Sequence, residues 1–323
     1  MCGIVGLFLK DPSLEAALGR MLTDMLVTMS DRGPDSAGIA IYSEAVEDRA
    51  KITIQSAHPD QDFAALEADF KSTFQQPLAL QRKNSHAVFE IAQNQVGELR
   101  ARIRRAHPGI RVMSTGDNIE IYKDIGLPKS VAERFDIPLM KGTHGIGHTR
   151  MATESAVTTM GAHPFNTGPD QCLVHNGSLS NHNSLRRQLQ REGVVIETEN
   201  DTEVGAAYLT WKMQNGSSLG EALQSSLDDL DGFFTFVVGT KDGFGVLRDP
   251  IACKPAVMAE TDQYVAFGSE YRALVNLPGI ADAHIWEPVP ATVYFWTHLM
   301  QIIDLDQKDL RQANAQMQNQ NPA

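Results

Sequence analysis

The second residue of the chain is a cysteine, and an apolar, strand-like run follows it in MCGIVGLF. If Met1 is removed, Cys2 carries both a thiol and a free α-amino group. An α-amino group has a pKa of about 8, so a useful fraction is the neutral base near neutral pH, beside the thiol that it would deprotonate. Such a pair is suited to nucleophilic attack on an acyl group. The alternative is that Cys2 is a small buried apolar residue.

Three further stretches carry groups that would complement this nucleophile. In GHTRMAT, Arg150 and Thr153 can bind a carboxylate, although a surface ion pair is the simpler interpretation of the arginine. In VHNGSL, Asn176 and Gly177 can offer an amide and a backbone N–H to an oxyanion, or can simply form a hairpin turn. In NDTE, Asp201 can bind an ammonium group, or can cap a helix. Together they predict a site that binds an α-amino acid and attacks its side-chain amide.

Apolar periodicity indicates the elements that position these groups. CGIVGLFL predicts a first strand, and apolar residues recur at helical spacing over 14–30. Short apolar strands such as CLVHN and FFTFVVGT return after residue 142, separated by helical stretches at 182–191, 201–213 and 219–230. Many strands with helices grouped between them are typical of an α+β sandwich rather than of alternating βαβ units.

The segment from about 44 to 142 is more polar and predicts a small α+β insertion. It contains a predicted helix, QVGELRARIRRA, and strands in HAVFEI and IRVMSTGDNIEIYK. We interpret its basic stretch, LRARIRRAHPGIR, as a solvated helix face or a protein contact, and we expect the insertion to be a partner interface. The Gln/Asn-rich tail at 306–323 has no apolar periodicity, so it is expected to be disordered or a weak docking segment.

Composition argues against several classes of function. The 323 residues include 40 acidic and 28 basic side chains, and the formal net charge of -12 argues against a nucleic-acid partner. The cysteines Cys2, Cys172 and Cys253 form no C-x-x-C pair, so no disulfide framework or cysteine zinc site is indicated and a reducing cytoplasm is expected. The chain also has neither a signal-peptide pattern nor an apolar run long enough to cross a bilayer.

The motifs MCGIVG, RGPDSAG, GHTRMAT, AHPF, HNGSLSN and NDTE, in this order, resemble those of the class II glutamine amidotransferases, which are Cys-type N-terminal nucleophile (Ntn) hydrolases. The later stretches LDGFFTFVV, LRDPIACKPAVM and FGSE also resemble this family. The resemblance implies a four-layer αββα sandwich over 2–305, interrupted by the insertion. It also implies that glutamine is hydrolysed through a γ-glutamyl thioester on Cys2, with release of ammonia.

The resemblance gives a role to each residue at a matching position. Cys2 is the nucleophile, and Asn176 with Gly177 forms the oxyanion hole. The substrate-binding residues are Arg150 and Thr153 for the α-carboxylate, Asp201 for the α-amino group, and Arg32, which positions groups near the nucleophile. The sequence departs from some members at Met151 and Glu154, where they carry an aromatic residue and a histidine, so closure over the substrate is expected to differ.

No pyrophosphatase, P-loop or dinucleotide motif is present, so another polypeptide is expected to use the ammonia. The chain resembles the free-standing amidotransferase subunits of split glutamate synthase-like complexes, most of all the A subunit of N-methylglutamate synthase, which joins methylamine to glutamate and releases ammonia. This implies no metal or cofactor in this chain, FMN and an iron–sulfur cluster in a partner, and a cytoplasmic hetero-oligomer. Because the overall reaction consumes glutamate, the substrate here is glutamine or glutamate.

Two alternatives stay open. A scaffold or partner-binding subunit would keep the fold without glutaminase turnover, and a retained Met1 would favour it because the base would then be an amide. A cysteine hydrolase of the bile-salt hydrolase type, which acts on another amide, is disfavoured. Arg150 and Asp201 together are suited to bind the carboxylate and the ammonium group of a free amino acid.

Overall fold

The computed structural model describes residues 2–152 and 156–298, so expectations for Met1, Thr153, Glu154 and the 306–323 tail lie outside the described residues. Within these ranges the chain forms 16 strands and 7 α-helices. The strands are β1 (Gly3–Leu9), β2 (Ser36–Tyr42), β3 (Arg49–Ser56), β4 (Gln81–Lys83), β5 (His86–Ala92), β6 (Ile110–Gly116), β7 (Ile119–Ile125), β8 (His144–Arg150), β9 (Phe165–Gly168), β10 (Gln171–Leu179), β11 (Gly232–Thr240), β12 (Gly243–Arg248), β13 (Val257–Glu260), β14 (Tyr264–Gly268), β15 (His284–Trp286) and β16 (Val293–Thr297). The helices are α1 (Leu18–Val27), α2 (Pro59–Phe74), α3 (Val96–Ala106), α4 (Pro128–Arg134), α5 (His182–Arg191), α6 (Asp201–Gln214) and α7 (Leu219–Asp229).

Two antiparallel sheets lie face to face. The first has the strand order β15-β13-β14-β1-β8-β2-β7, and the second has the order β16-β12-β11-β10-β9. Apolar side chains from both sheets fill the space between them, among them Ile4 and Phe8 of β1, Val174 of β10 and Val237 of β11. Strand β1 is buried along its whole length, so the chain is firmly held from Gly3 onward.

Helices cover the two outer faces of this pair of sheets. Helices α1 and α4 pack against the first sheet through residues such as Leu22 and Val131. Helices α5, α6 and α7 cover the second sheet through residues such as Leu185, Leu209 and Leu223. The order helix, sheet, sheet, helix is the αββα architecture implied by the motifs, and that prediction is confirmed. Among the described helices, none has the length and apolar character needed to cross a membrane.

The helices predicted from periodicity are present, with one difference in extent. Helix α5 has the predicted bounds, and α6 and α7 end within one residue of theirs. The helix predicted over 14–30 is shorter, because α1 is flanked by 3-10 turns at Pro12–Ala17 and Ser30–Arg32. At its C-terminal end the hydroxyls of Thr28 and Ser30 donate to the carbonyls of Met25 and Val27, at 2.7 and 2.6 Å. Such local side-chain bonds compete with continuation of a helix.

The insertion forms a third antiparallel sheet, in the order β4-β5-β3-β6, with its own core under α2 and α3. It is narrower than the predicted interval of about 44–142. Strand β7 pairs with β2 of the first sheet, from Ile119 opposite Tyr42 to Ile125 opposite Ser36, and α4 joins the core of that sheet. The third sheet therefore ends at Gly116, and the chain then returns to the sandwich. An alternating pattern predicts a strand but does not say which strand it pairs with.

Candidate active site

Cys2 lies directly before β1, at the end of the first sheet where β8 finishes. The register places Gly3 opposite Thr149, so the start of β1 and the end of β8 are neighbours. The Cys2 thiol is half-buried, and its Sγ lies 3.9 Å from the carbonyl oxygen of Met151. The predicted nucleophile is therefore fixed by the sheet and faces the segment that carries Arg150.

The carbonyl of Cys2 is held by two distant side chains. Arg32 donates to it through Nε at 2.9 Å, and Asn176 donates through Nδ2 at 3.2 Å. Arg32 is buried and also forms an ion pair with Glu270, whose carboxyl pKa is lowered chiefly by the hydrogen bond from this guanidinium. The structure thus brings Arg32 and Asn176 to the same atom of the candidate nucleophile.

Asn176 and Gly177 lie near the end of β10, at the same edge of the sandwich. The buried Asn176 amide also donates to Oγ of Ser269 at 3.2 Å, and its Oδ1 has no hydrogen-bond partner among the described residues. Gly177 is exposed and has a φ of +145°, and a Cβ added there would lie 1.9 Å from the carbonyl oxygen of Phe233. Glycine is therefore required at this position, and an incoming carbonyl can approach the backbone closely.

Arg150 is the last residue of β8 and is almost fully buried. Its guanidinium donates to the carbonyl of Ala156 at 3.4 Å, and its own carbonyl accepts from the Asp35 backbone N–H at 3.1 Å. The Asp35 carboxylate in turn accepts from the Ala152 N–H at 2.8 Å. The RGPDSAG loop therefore holds both Arg32, near Cys2, and the backbone on either side of Met151. The predicted partner of Arg150, Thr153, lies outside the described residues.

Asp201 is the first residue of α6, and the helix is capped by the residue before it. The Asn200 side chain accepts from the Thr202 N–H at 2.9 Å, so the cap considered for Asp201 belongs to Asn200. One oxygen of the Asp201 carboxylate accepts from the Leu179 N–H at 3.1 Å, and the other lies 3.8 Å from Nδ1 of His175. Its side chain is 24% exposed, which leaves one face open to a cationic group.

Sequence reasoning missed a set of buried polar residues behind the site. His163 and His175 both contact Oγ1 of Thr202, at 2.6 and 3.0 Å, and His148 lies against the ring of His163 with 4.0 Å between centroids. Burial lowers the pKa of all three histidines, that of His148 to about 3, so they are neutral near pH 7. A signal was present, because GHTRMAT, AHPF and VHNG each contribute one of these histidines.

Ser269 and Glu270 were also missed, although FGSE was noted as a family-like stretch. Ser269 Oγ accepts from the Ile4 N–H at 2.9 Å as well as from Asn176, and the Ser269 N–H donates to the Ile4 carbonyl at 2.9 Å. Glu270 anchors Arg32. Both residues follow β14, which pairs with β1, so this sheet pairing carries them to the start of β1.

Taken together, the site joins a thiol, a buried amide, a glycine at a close-approach position, a buried guanidinium and a carboxylate at one edge of the sandwich. These are the groups that an acyl transfer from an amino-acid side chain requires. The described residues contain no group of three His, Cys, Asp or Glu side chains placed to hold a metal ion.

Comparisons with known proteins agree with this chemistry. Residues 148–276 match the family described as "Glutamine amidotransferase domain". The chain is 67% identical over 298 residues to the "Glutamine amidotransferase-like protein GlxB" of Rhizobium meliloti, covering 92% of this chain and 99% of that protein. It is 36% identical over 130 residues to the glutamine–fructose-6-phosphate aminotransferase of Vibrio vulnificus, covering 40% of this chain but 21% of that protein.

A solved structure resembles the fold as well. The glutamine phosphoribosylpyrophosphate amidotransferase from B. subtilis superposes with a TM-score of 0.59 at 19% sequence identity, covering 92% of this chain. The chain spans 47% of the length of that structure, so the likeness concerns one part of a longer protein. At this level of identity the match supports the architecture and not the activity.

Proposed function

Because the chain belongs to the class II glutamine amidotransferase family, we propose that it hydrolyses the side-chain amide of glutamine and releases ammonia for a partner synthase. The observation that carries the proposal is the Cys2 carbonyl, which is held by Arg32 and Asn176 at 2.9 and 3.2 Å. This double attachment fixes the backbone of the nucleophile beside the amide that would stabilise the oxyanion.

The chemistry requires that Met1 is removed, so that the α-amino group of Cys2 accepts the thiol proton. The thiolate attacks the glutamine amide carbon, and negative charge develops on the amide oxygen. The side-chain amide of Asn176 and the backbone N–H of Gly177 stabilise that charge. To do so, the Asn176 amide turns toward the oxyanion the N–H that donates to Ser269 Oγ in this structure. The intermediate collapses with transfer of the proton to the leaving nitrogen, giving ammonia and a thioester. Water then attacks the thioester and releases glutamate and free Cys2.

The same edge of the sandwich offers groups for the rest of the substrate. Arg150, with Thr153, would bind the α-carboxylate, because a guanidinium matches the two oxygens of a carboxylate. Asp201 would bind the α-ammonium group through the exposed face of its carboxylate. The two charges of the amino acid then fix which end of glutamine reaches Cys2.

An intact-mass measurement on the protein purified from its own cells tests this mechanism. We expect a chain that lacks Met1 and gains one adduct from a glutamine-mimicking diazo ketone, and we expect no adduct on Cys2→Ser. Cys172→Ser serves as the matched control, because this buried thiol lies between the sheets and should not affect labelling. A chain that keeps Met1 and gains no adduct would instead support a scaffold subunit without turnover.

For the ammonia acceptor, we propose a separate synthase subunit of an N-methylglutamate synthase or glutamate synthase-like complex. The supporting observation is that the sandwich and its insertion occupy nearly all of the described chain, which leaves no described second domain to hold an acceptor. FMN and the iron–sulfur cluster would then belong to the partner. Purification of the tagged chain from its own cells, with flavin and iron assays on co-eluting proteins, tests this, and elution of the chain alone would contradict it.

A further inference from the structure

A cleft of about 320 Å³ lies between the insertion and the sandwich, away from Cys2. Residues of α3 and of the start of β6 line one part of the cleft. Met160, which precedes β9, and Phe165, the first residue of β9, line another part. Its volume is at the lower end of the range of small-molecule sites, which begins at about 300 Å³. The cleft is therefore large enough for a small metabolite.

Positive charge dominates the walls. Arg100, Arg104, Arg111 and Lys123 line the cleft, against the carboxylates of Glu197 and Glu203. The Glu203 carboxylate already accepts three hydrogen bonds, from the Glu197 N–H, the Thr198 N–H and the Thr198 hydroxyl, at 2.5–2.7 Å. This excess of positive charge occurs in a chain whose formal net charge is -12.

Two of the arginines are not held by a hydrogen bond or a close ion pair within the described ranges. Arg100 and Arg104 lie one turn apart on α3, and neither forms a hydrogen bond or ion pair with any residue in the described ranges. Arg102 of the same helix, by contrast, donates to the Asp69 carboxylate at 2.6 Å. Burial, followed by the charge of Arg104, lowers the pKa of the partly buried Arg100 guanidinium, and the nearby carboxylate of Glu197 partly opposes this effect. Like charges one turn apart on a helix are mutually destabilising, so an anion between them would relieve the repulsion.

Lys123 adds a positive charge at the buried side of the cleft when its amine is protonated. Its side chain is 3% exposed, and Nζ donates to the carbonyls of Ala162, Pro164 and Met160 at 2.8, 3.1 and 3.4 Å. Burial lowers the pKa of this ammonium to about 7. Because its protons are taken by carbonyls, Lys123 would attract an anion through its field, while Arg100 and Arg104 would make the direct hydrogen bonds.

We propose that this cleft binds a small organic anion that carries two or more carboxylate or phosphate groups. Two guanidinium groups without hydrogen bonds in the described chain match two acidic groups, since each can donate a pair of parallel hydrogen bonds. The apolar side chains of Met160 and Phe165 would contact the carbon skeleton between them. The basic helix that the sequence offered as a solvated face or protein contact is thus one wall of a ligand site.

Isothermal titration calorimetry of the full-length protein tests the proposal, with pyrophosphate, citrate and succinate as probes and sodium chloride holding the ionic strength constant. We expect at least one anion to bind saturably at one site per chain. Arg100→Gln and Arg104→Gln should each weaken that binding by about tenfold or more. Arg104 is exposed and unpartnered within the described chain, so its variant keeps the fold even where the Arg100 variant loses stability.

Arg105→Gln is the matched control, because it removes the same charge from the same helix at an exposed position that does not line the cleft. Its affinity should stay within about twofold of the unaltered protein. The proposal is overturned if none of the three anions binds, if neither cleft variant weakens binding, or if Arg105→Gln weakens it as much as Arg104→Gln. Binding of a poly-glutamate peptide where the small anions fail would also overturn it. The measurement needs no glutamine turnover, so its outcome is separate from that of the proposed function.

Discussion

The side-chain amide of Asn176 donates a hydrogen bond to the backbone carbonyl of Cys2 across 3.2 Å, although the two residues are 174 positions apart in the chain. Cys2 directly precedes β1 of the first sheet and Asn176 lies in β10 of the second, so this bond links the two sheets at the edge that holds the candidate site. The group proposed to stabilise the oxyanion is thereby attached to the residue proposed to attack, and movement of one sheet against the other would disturb both.

Asn176→Ala is expected to lower kcat for glutamine hydrolysis by about 10²- to 10³-fold with a small effect on KM, because an oxyanion donor acts mainly in the transition state. Steady-state assays of glutamate release measure this. Asn94→Ala is the control, since Asn94 is exposed and lies in the insertion. A kcat for Asn176→Ala within about threefold of the unaltered protein would remove this residue from the oxyanion hole.

Arg32→Gln is expected to lower kcat by about 10- to 100-fold, because it removes a buried, charge-assisted hydrogen bond to the Cys2 carbonyl. The matched control is Arg272→Gln, which removes the more exposed guanidinium on the other oxygen of Glu270 and should change kcat by no more than about twofold. Rates measured at saturating glutamine distinguish the two variants. Equal losses in both would show that the charge around Glu270 matters and the bond to Cys2 does not.

Gly177→Ala is expected to lower the free energy of unfolding by about 1–3 kcal/mol and to reduce activity. The backbone has a φ of +145°, and the new methyl group would overlap the Phe233 carbonyl, so β10 would have to shift away from β11. Urea unfolding provides the measurement. Gly220→Ala is the control, because Gly220 lies in α7 and no atom lies within 4 Å of the position that its Cβ would take. This variant should raise the free energy of unfolding by about 0.5–1 kcal/mol.

Much of the sandwich was predictable from local patterns together with the family-like motifs. Helix α5 and the strand that carries Asn176 are encoded by short-range periodicity, and the motif order implied the αββα layers. The end of the insertion was not predictable in this way. IRVMSTGDNIEIYK contains two alternating strands, and only the fold shows that β6 stays in the third sheet while β7 pairs with β2.

For Cys2, Arg150 and Asp201 the sequence motifs suggested functional roles, and the structure places the three residues at one edge of the sandwich while the roles themselves stay predictions. The candidate site was not predictable where a residue acts through a long-range contact. Ser269 reaches the Ile4 N–H only because β14 pairs with β1, 265 positions away in the chain. The cap of α6 is Asn200, one residue before Asp201. Asparagine and aspartate cap helices about equally well, so the residue types alone could not decide between the two positions.

The burial of His86 leads us to expect that the free energy of unfolding decreases as the pH falls. This histidine is fully buried against the rings of Tyr122 and Phe135, and burial lowers its pKa from 6.5 to about 3, an effect that Asp124 partly opposes. Between these two values the unfolded state binds more protons than the folded state, so acidification favours unfolding and stability falls as the pH drops below about 6.5. The contribution of one such group approaches about 1.4 kcal/mol per pH unit.

Replacing this histidine should therefore flatten the pH profile. Urea unfolding at pH 7, 6 and 5 should give His86→Leu a slope smaller than that of the unaltered protein by up to about 1.4 kcal/mol per pH unit, whatever the variant's stability at pH 7. His58→Gln is the control, because His58 is exposed on the surface of the same insertion and its removal should leave the slope unchanged. Identical slopes for His86→Leu and the unaltered protein would mean that His86 takes up its proton without unfolding, through an opening of the third sheet toward water.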